Sequence, residues 1–209
     1  MDTSEIARLL EPFAELNADQ LRQVATHLDL LLKWNSKVNL TSVRSPQEII
    51  TRHYGESFFV ARELLRSGEA ASIVDVGSGA GFPGIPFAIF APEAGVVLIE
   101  STSKKAAFLN ESTFVLGLRN ARVFDGRAES YPNSSADLVT MRAVERFERA
   151  LPVADRLVKP GGRIALMIGE SQVELGKSLL KTMDWQKAIQ VPGGSSRVLL
   201  AGTKTSNVE

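Results

Sequence analysis

Apolar positions in the first 66 residues recur at the spacing of α-helices. In the clearest run an apolar side chain returns every three or four positions, at Leu21, Val24, Leu28, Leu31 and Leu32. Asn17 and Gln20 precede this run and stand three residues apart, the spacing of a capping box that begins a helix. The pattern therefore predicts a long amphipathic helix after Asn17.

A second helix is predicted from Ser45 to Arg66. Ser45 has an N-cap side chain, Pro46 suits the first helical position because it needs no amide hydrogen, and Glu48 can reach back to the cap. The following Ser67-Gly68 pair is typical of a helix end. Both helices belong to the same N-terminal stretch, which is predicted as a helical extension.

After residue 71, short apolar runs alternate with helical stretches. Such alternation is typical of a parallel sheet that helices cover on both faces. Residues 185–191 and 197–203 flank a Pro-Gly-Gly-Ser-Ser turn, which predicts a terminal antiparallel hairpin. The predicted parallel strands are Ser72–Val76, Val96–Glu100, Ala121–Phe124, Asp137–Met141 and Arg163–Ile168.

Chain length and composition fit a single α/β domain with an extension. The chain has 209 residues, of which 44% are hydrophobic, enough to build a buried core. We therefore predict a helical extension over residues 1–66 and a sheet domain over residues 67–209.

Charge and cysteine content exclude several classes of function. The 24 basic residues balance the 24 acidic ones, so a histone-like polycation is excluded and any RNA-binding surface must be a local patch. The absence of cysteine excludes disulfides, zinc fingers, iron–sulfur clusters and thiol nucleophiles. We expect no metal site.

The N-terminal residues lack the basic and apolar regions of a signal peptide. The strongest apolar stretch, residues 85–91, contains Pro86 and is far shorter than the roughly 20 residues that span a bilayer. The sequence therefore predicts a cytoplasmic protein that does not contact membranes.

A glycine-rich loop follows the first predicted strand, with Gly77, Gly79 and Gly81 at alternate positions. Glycine lets the backbone turn sharply and approach a ligand closely. A dinucleotide-binding loop would place its third glycine at position 82, where this chain has Phe82. The loop also lacks the lysine of a Walker-type phosphate site, so a different nucleotide-type ligand is indicated.

Two acidic residues accompany this loop. Asp75 leads it, and the resulting acidic-x-Gly-x-Gly-x-Gly pattern resembles the cofactor loop of S-adenosylmethionine-dependent methyltransferases. Glu100 ends the second predicted strand, where an acid can hold ribose hydroxyls. Asp75, Glu100 and the three glycines are therefore candidate cofactor-binding residues.

The chemistry of the methyl acceptor can be narrowed by elimination. Methylation of cytosine C5 usually needs a cysteine nucleophile, which this chain lacks. Methylation of exocyclic amines typically uses an Asn/Asp-Pro-Pro-aromatic motif, but the fourth predicted strand ends in Thr-Met-Arg-Ala. An acceptor that is already nucleophilic, such as guanine N7, fits better because it needs orientation more than activation.

Short motifs along most of the chain, about residues 21–204, resemble those of one family. They are Lys33-Trp34-Asn35, Asn39-Leu40-Thr41, Arg52-His53, the run from Asp75 to Pro86, the run from Lys104 to Leu109, Arg127-Ala128-Glu129, Arg142-Ala143 and Lys159-Pro160-Gly161-Gly162. The family is that of the glucose-inhibited division protein B, bacterial methyltransferases that act on guanine N7 of small-subunit ribosomal RNA.

This resemblance implies a Rossmann-like class I methyltransferase sheet, S-adenosylmethionine as cofactor, and small-subunit ribosomal RNA or the ribosomal subunit as partner. It further implies a cofactor site lined by Gly77, Phe82, Ala128, Glu129 and Arg142. Arg142, at the carboxyl end of the fourth predicted strand, is also the candidate catalytic residue, since it could orient the methionine end of the cofactor or bond guanine O6.

Each candidate has a simpler structural explanation. Glu129 could merely favour a helix dipole, and Arg142 could be an ordinary surface arginine. For Trp34, packing in the core is favoured over stacking on a base. For His53, a hydrogen-bonded role that supports the extension is favoured.

Basic residues are concentrated in segments 33–52 and 142–163, which are the candidate RNA surface. Two other functions stay open at this point: a nucleotide-dependent oxidoreductase, and a non-catalytic ribosome-binding module on a methyltransferase fold. We expect a monomer.

Overall fold

An eight-stranded sheet runs through the structure. The computed structural model describes residues 1–65, 71–133, 136–142, 147–193 and 196–205. Its strands are β1 (Ser72–Val76), β2 (Gly95–Glu100), β3 (Ala121–Asp125), β4 (Ala136–Arg142), β5 (Val158–Gly169), β6 (Met183–Trp185), β7 (Ile189–Gln190) and β8 (Arg197–Lys204). Its helices are α1 (Thr3–Leu10), α2 (Ala18–Asn35), α3 (Pro46–Ile49), α4 (Glu56–Leu65), α5 (Gly84–Phe90), α6 (Ser103–Val115), α7 (Phe147–Leu157) and α8 (Val173–Leu179).

The strands follow the order β3-β2-β1-β4-β5-β8-β6, and β7 also pairs with β8. Strands β1 to β5 are parallel, whereas β8 is antiparallel to each of its neighbours. This arrangement confirms the predicted fold class. The chain reverses its direction of travel across the sheet between β1 and β4, and the carboxyl ends of strands at such a point form a ligand-binding crevice.

The C-terminal hairpin is confirmed, with one difference. The predicted strand over residues 185–191 divides into β6 and β7, and both pair with β8. Trp185 packs on the strand through its ring, since a Cβ at Gly202 would lie 2.6 Å from that ring. Residues 194–195 of the predicted turn lie outside the described residues.

The N-terminal caps of helices α2 and α3 agree largely with the sequence prediction. The Gln20 amide donates to Asn17 Oδ1 at 3.0 Å, and the Asn17 amide donates to Gln20 Oε1 at 2.9 Å, which confirms the capping box. Ser45 accepts a hydrogen bond from the Glu48 amide as predicted. The Glu48 carboxylate, however, pairs with Arg52 rather than with the cap.

The second predicted helix is not continuous. A π-helical turn at Ile50–Gly55 joins α3 to α4. Within this turn, the neighbouring side chains of His53 and Tyr54 both pack on the Phe82 ring, with centroid distances of 5.0 and 4.8 Å. The predicted helix end at residues 66–68 lies outside the described residues.

Helices cover both faces of the sheet, as predicted. On one face Leu28 and Phe58 of the extension share a buried cluster with Leu98 of β2. On the other face Leu151 of α7 packs with Val139 of β4. The N-terminal helices are therefore built into the core of the sheet. Among the described residues, no helix combines the length and apolar character needed to cross a bilayer.

Candidate active site

Two adjoining clefts open along the carboxyl ends of β1 to β4. The larger, of about 610 Å³, lies between the glycine loop and the N-terminal extension, and we call it the loop–extension cleft. The smaller, of about 530 Å³, follows β3 and is called the β3 cleft. Gly77 and Ser101 line both. Volumes of this size are ordinary for small-molecule and cofactor sites.

Most of the predicted site residues line these clefts. Those in the loop–extension cleft are Gly77, Gly79, Phe82, Glu100 and Arg142. Ala128 and Glu129 line the β3 cleft, and the Glu129 side chain is exposed. Asp75 and Gly81 line neither cleft and are buried beneath the loop. The predicted site residues are therefore of two kinds: those that line a cleft and those that support the loop from beneath.

The glycine loop is tied to the end of β2. The amides of Gly77 and Ser78 both donate to the Ile99 carbonyl, and the Gly79 amide donates to Glu100 Oε2 at 3.0 Å. Gly77 and Gly79 have φ values of 72° and 55°, in the left-handed region that favours glycine. A Cβ at Gly79 would have only the Gly77 carbonyl within 4 Å, at 3.8 Å, so this part of the loop is open to a ligand.

Asp75 supports the loop from below. It is fully buried, and its carboxylate accepts hydrogen bonds from the Gly84 amide at 3.1 Å and the Thr140 hydroxyl at 2.9 Å. Burial raises the pKa of Asp75 to about 6, against the lowering effect of these hydrogen bonds. A Cβ at Gly84 would lie 2.8 Å from the carboxylate, so glycine is required there too, a position that the sequence analysis did not single out.

Arg142 is held by the N-terminal extension. Its Nη2 donates to the Arg52 carbonyl and to His53 Nδ1, each at 2.9 Å, and its Nη1 donates to the His53 carbonyl at 3.3 Å. Its guanidinium also forms an ion pair with the buried Glu56, at 3.0 Å. Burial lowers the pKa of Arg142 to about 10, which still leaves it charged at neutral pH.

This placement excludes the explanation that Arg142 is an ordinary surface arginine, because only 8% of the residue is exposed. The Nη2 group, moreover, is already bonded within the protein. Arg142 therefore has less capacity to bond guanine O6 than the sequence suggested. Whether it touches a ligand stays a prediction.

His53 lies beside Arg142 in the wall of the loop–extension cleft. Burial and the nearby arginines, Arg142 first among them, lower the pKa of His53 to about 3, so it is neutral at physiological pH. Its Nε2 lies 2.9 Å from the hydroxyl of Thr41, another residue of the loop–extension cleft. His53 thus supports the extension, as expected, and also lines the cleft.

The structure places other polar residues in the cleft that the sequence analysis did not select. Arg197 and Lys105 line it, and Glu56 lies behind Arg142. Arg197 comes from β8 and lies 3.6 Å from Glu56. A signal for Glu56 was available in the sequence, because this acid stands two residues before the apolar run of residues 58–61. Trp34 is a core anchor, as favoured, since its ring packs on Phe108.

All four cations of the first basic segment are exposed. Its exposed cations are Lys33, Lys37, Arg44 and Arg52, and Arg52 also lines the loop–extension cleft. The second segment is mixed: Arg142 is buried and Arg163 donates to the Leu64 carbonyl at 2.8 Å, but other cations of the segment are exposed, namely Arg149, Arg156 and Lys159. An RNA surface over both segments stays a prediction. Arg146 lies outside the described residues.

Comparison with known proteins identifies the family. The family model described as GidB, rRNA small subunit methyltransferase G, matches residues 20–193, which include the glycine loop and residues 20–66 of the extension. The chain belongs to this family.

Curated relatives carry the same name, Ribosomal RNA small subunit methyltransferase G. The Halorhodospira halophila protein is 34% identical over 199 residues, which cover 93% of each chain. The Nitrosomonas europaea protein is 43% identical over 152 residues, 71% of this chain and 69% of the relative. The Myxococcus xanthus protein is 38% identical over 148 residues, 69% of this chain and 67% of the relative.

Solved structures support the fold. A SAM-dependent methyltransferase from Aquifex aeolicus superposes with a TM-score of 0.60 at 15% identity, covering 79% of this chain and 96% of that one. A SAM-dependent O-methyltransferase from Thermotoga maritima has a TM-score of 0.60 at 18% identity, covering 86% of this chain and 72% of that one.

Membership of the family makes this chain an S-adenosylmethionine-dependent methyltransferase and disfavours the oxidoreductase alternative. Among the residues that the structure describes, no group of three or more His, Asp or Glu side chains is arranged to hold a metal ion.

Proposed function

We propose that this chain transfers a methyl group from S-adenosylmethionine to N7 of a guanine in the RNA of the small ribosomal subunit. One observation carries the proposal. The loop–extension cleft is built jointly by the glycine loop and the N-terminal extension, and the matching family model includes both parts. The relatives' name, Ribosomal RNA small subunit methyltransferase G, supports the choice of substrate.

The residues at the two clefts fit S-adenosylmethionine. Glu100 accepts hydrogen bonds from the amides of Gly79 and Thr102 at 3.0 and 2.8 Å, which leaves lone pairs of its carboxylate for ribose hydroxyls. Ala128 and Glu129, after β3, would border the adenine. Gly77 and Gly79 would allow close approach of the methionine end. Asp75 and Gly81 would act through the shape of the loop.

Positioning is the main contribution expected of the protein. When bound, S-adenosylmethionine supplies an electrophilic methyl group on a sulfonium. Guanine N7 has a lone pair in the ring plane and no proton, so this chain has no proton to remove before transfer. The neutral His53 and the buried Arg142 then serve to shape the cleft wall, and no general base is required.

The exposed cations of segment 33–52 support RNA binding beside the cleft. Arg52 lies at the cleft itself, and Lys33, Lys37 and Arg44 extend the positive surface along the extension. Contacts of this kind to phosphates hold an RNA in position without reading its sequence. A small patch suits an RNA presented in a defined shape, as in a ribosomal subunit.

We further propose that residues 1–66 and 67–209 form the extension and the cofactor domain, and that the chain acts as a cytoplasmic monomer.

The test compares ribosomal RNA from cells with and without the protein, by mass spectrometry of mapped fragments. We expect one methylated guanine to be lost from the small-subunit RNA and regained with the wild-type gene. Loss of a methyl group only from another RNA would refute the substrate. Calorimetry is the companion measurement: S-adenosylmethionine and S-adenosylhomocysteine should bind, and NAD(H) should not. Cofactor binding without methyl transfer to any RNA would favour the non-catalytic ribosome-binding module.

A further inference from the structure

Thr41 ends a chain of hydrogen bonds that begins at Arg142. Arg142 Nη2 lies 2.9 Å from His53 Nδ1, and His53 Nε2 lies 2.9 Å from Thr41 Oγ1. A guanidinium can only donate, so Nδ1 must accept, and the single proton of the neutral imidazole must therefore be on Nε2. His53 consequently donates to Thr41, and the direction of the whole chain follows from the chemistry of Arg142.

The Thr41 hydroxyl can form a further hydrogen bond only as a donor. Its oxygen accepts from His53 Nε2 and also from the Val43 amide at 3.2 Å. A hydroxyl has two acceptor lone pairs and one donor hydrogen, so these two bonds fill its acceptor capacity. Within the described parts of the chain, no hydrogen bond from this proton to an acceptor is found.

The position of Thr41 is also fixed. The buried Asn35 accepts from the amides of Leu40 and Thr41 at 2.9 and 3.0 Å, and it donates to the Thr41 carbonyl at 3.0 Å. These three bonds hold the loop after α2 so that Thr41 lines the loop–extension cleft, together with the glycine loop. The Thr41 hydroxyl is therefore an oriented hydrogen-bond donor on the extension side of the cleft.

We propose that the Thr41 hydroxyl donates to O6 of the target guanine and so positions N7 and selects guanine. The inference rests on the proposed function. Guanine presents N7 and O6 as neighbouring acceptors, whereas adenine presents N7 beside an amino group. N7 must stay free to receive the methyl group, so O6 is the acceptor that remains. Because the Thr41 hydroxyl can only donate, it can form a hydrogen bond to O6 of guanine. With adenine in the same position, the hydroxyl and the adenine amino group would both be donors and could not bond.

The other acceptor of similar chemistry is the methionine carboxylate of the cofactor. The geometry favours the base, because Thr41 and its direct partners His53 and Asn35 belong to the extension, while Glu100 and the glycines form the cofactor side of the cleft. The experiment below distinguishes the two.

The test uses the full chain and small ribosomal subunits from cells that lack the protein. Thr41→Val removes the hydroxyl, Thr41→Ser keeps it, and Thr26→Val is the matched control, since Thr26 is exposed and donates to its own helix at the Arg22 carbonyl. We expect Thr41→Val to lower kcat/KM by about tenfold, with Thr41→Ser close to wild type. The affinity for S-adenosylhomocysteine should be unchanged in all three variants.

A second arm replaces O6. Subunits reconstituted with 2-aminopurine at the mapped target keep N7 but carry hydrogen in place of O6. For the wild type, kcat/KM should be about tenfold lower on this substrate. For Thr41→Val, kcat/KM should differ little between the two bases, because the hydroxyl and O6 are the two partners of one hydrogen bond and either change removes it.

Three results would overturn the inference. Equal losses caused by Thr41→Val on guanine and on 2-aminopurine would show that O6 is not the partner. A weaker affinity for S-adenosylhomocysteine would assign the hydroxyl to the cofactor, and an inactive Thr41→Ser would indicate a structural role. Failure of the proposed function is distinct: wild type would then methylate no subunit, although S-adenosylhomocysteine still binds.

Discussion

The guanidinium of Arg142 lies 3.0 Å from the carboxylate of Glu56, and the two side chains are only 6% and 2% exposed. This ion pair joins the sheet domain to the N-terminal extension within the wall of the cleft. Burial raises the pKa of Glu56, and the nearby Arg142 opposes that shift. Loss of Glu56 therefore removes the carboxylate that compensates the buried charge of Arg142.

We predict that Glu56→Ala lowers the free energy of unfolding by about 3–5 kcal/mol, because it leaves a buried arginine unpaired. Urea unfolding followed by circular dichroism measures this. Glu48→Ala is the matched control. Its pair with Arg52 is roughly half exposed, with side-chain values of 48% and 45%, and its loss should cost less than about 1 kcal/mol. Similar losses in both variants would contradict the prediction.

Gly79→Arg should abolish binding of S-adenosylhomocysteine while the protein stays folded. The new side chain would enter the open side of the loop, where a ligand has to approach. Gly117→Arg is the control, because Gly117 has a similar φ of 64° and no atom within 4 Å of an added Cβ, but lies outside the clefts. Calorimetry should find no binding in the first variant and normal binding in the second. Normal binding by Gly79→Arg would remove this loop from the cofactor site.

Two buried histidines should make the protein less stable in acid. Burial lowers the pKa of His27 and of His53 from 6.5 to about 3. Their contribution is present above pH 6.5, where both states are neutral, and is lost as the pH falls towards 3, because only the unfolded chain then binds the protons. Asp75, with its pKa raised to about 6, acts in the opposite direction between about pH 4 and 6. The combined effect of the two histidines is larger than that of Asp75, so the free energy of unfolding should decrease as the pH falls.

The contribution of His27 can be isolated. Its Nδ1 lies 2.7 Å from the Tyr54 hydroxyl, so the double variant His27→Phe/Tyr54→Phe removes both polar partners together. Between pH 4 and 6, the slope of unfolding free energy against pH should decrease by about 1.4 kcal/mol per pH unit in this variant. Urea titrations at each pH measure the slope. An unchanged slope would mean that His27 is protonated in the folded protein.

The rate of methyl transfer should be independent of pH between about 7 and 9. His53 is neutral and Arg142 is charged throughout this range, and guanine N7 needs no deprotonation. The measurement is a single-turnover rate at saturating S-adenosylmethionine. A steep rise through one pKa that disappears when a single acid or histidine is replaced would reveal a general base.

The amino-acid sequence by itself determined the features that depend on local spacing. The capping box of Asn17 and Gln20 lies three residues apart, and the five parallel strands show as short apolar runs between helical stretches. The glycine loop is a continuous segment, and its glycines indicate directly that the backbone turns sharply there. For these features the interacting atoms are close along the chain, so the pattern could predict them.

Tertiary structure alone decided which residues face the cleft. Arg142 meets His53 across 89 positions of sequence, and Thr41 receives its orientation from that distant contact. The sequence placed Asp75 and Gly81 with the ligand-facing residues, but folding buries them under the loop. The π-helical turn at Ile50–Gly55 is likewise seen only in the folded structure, where His53 and Tyr54 pack on Phe82. Burial and hydrogen-bond direction depend on elements that only the folded sheet and extension bring into contact, and no local spacing contains that information.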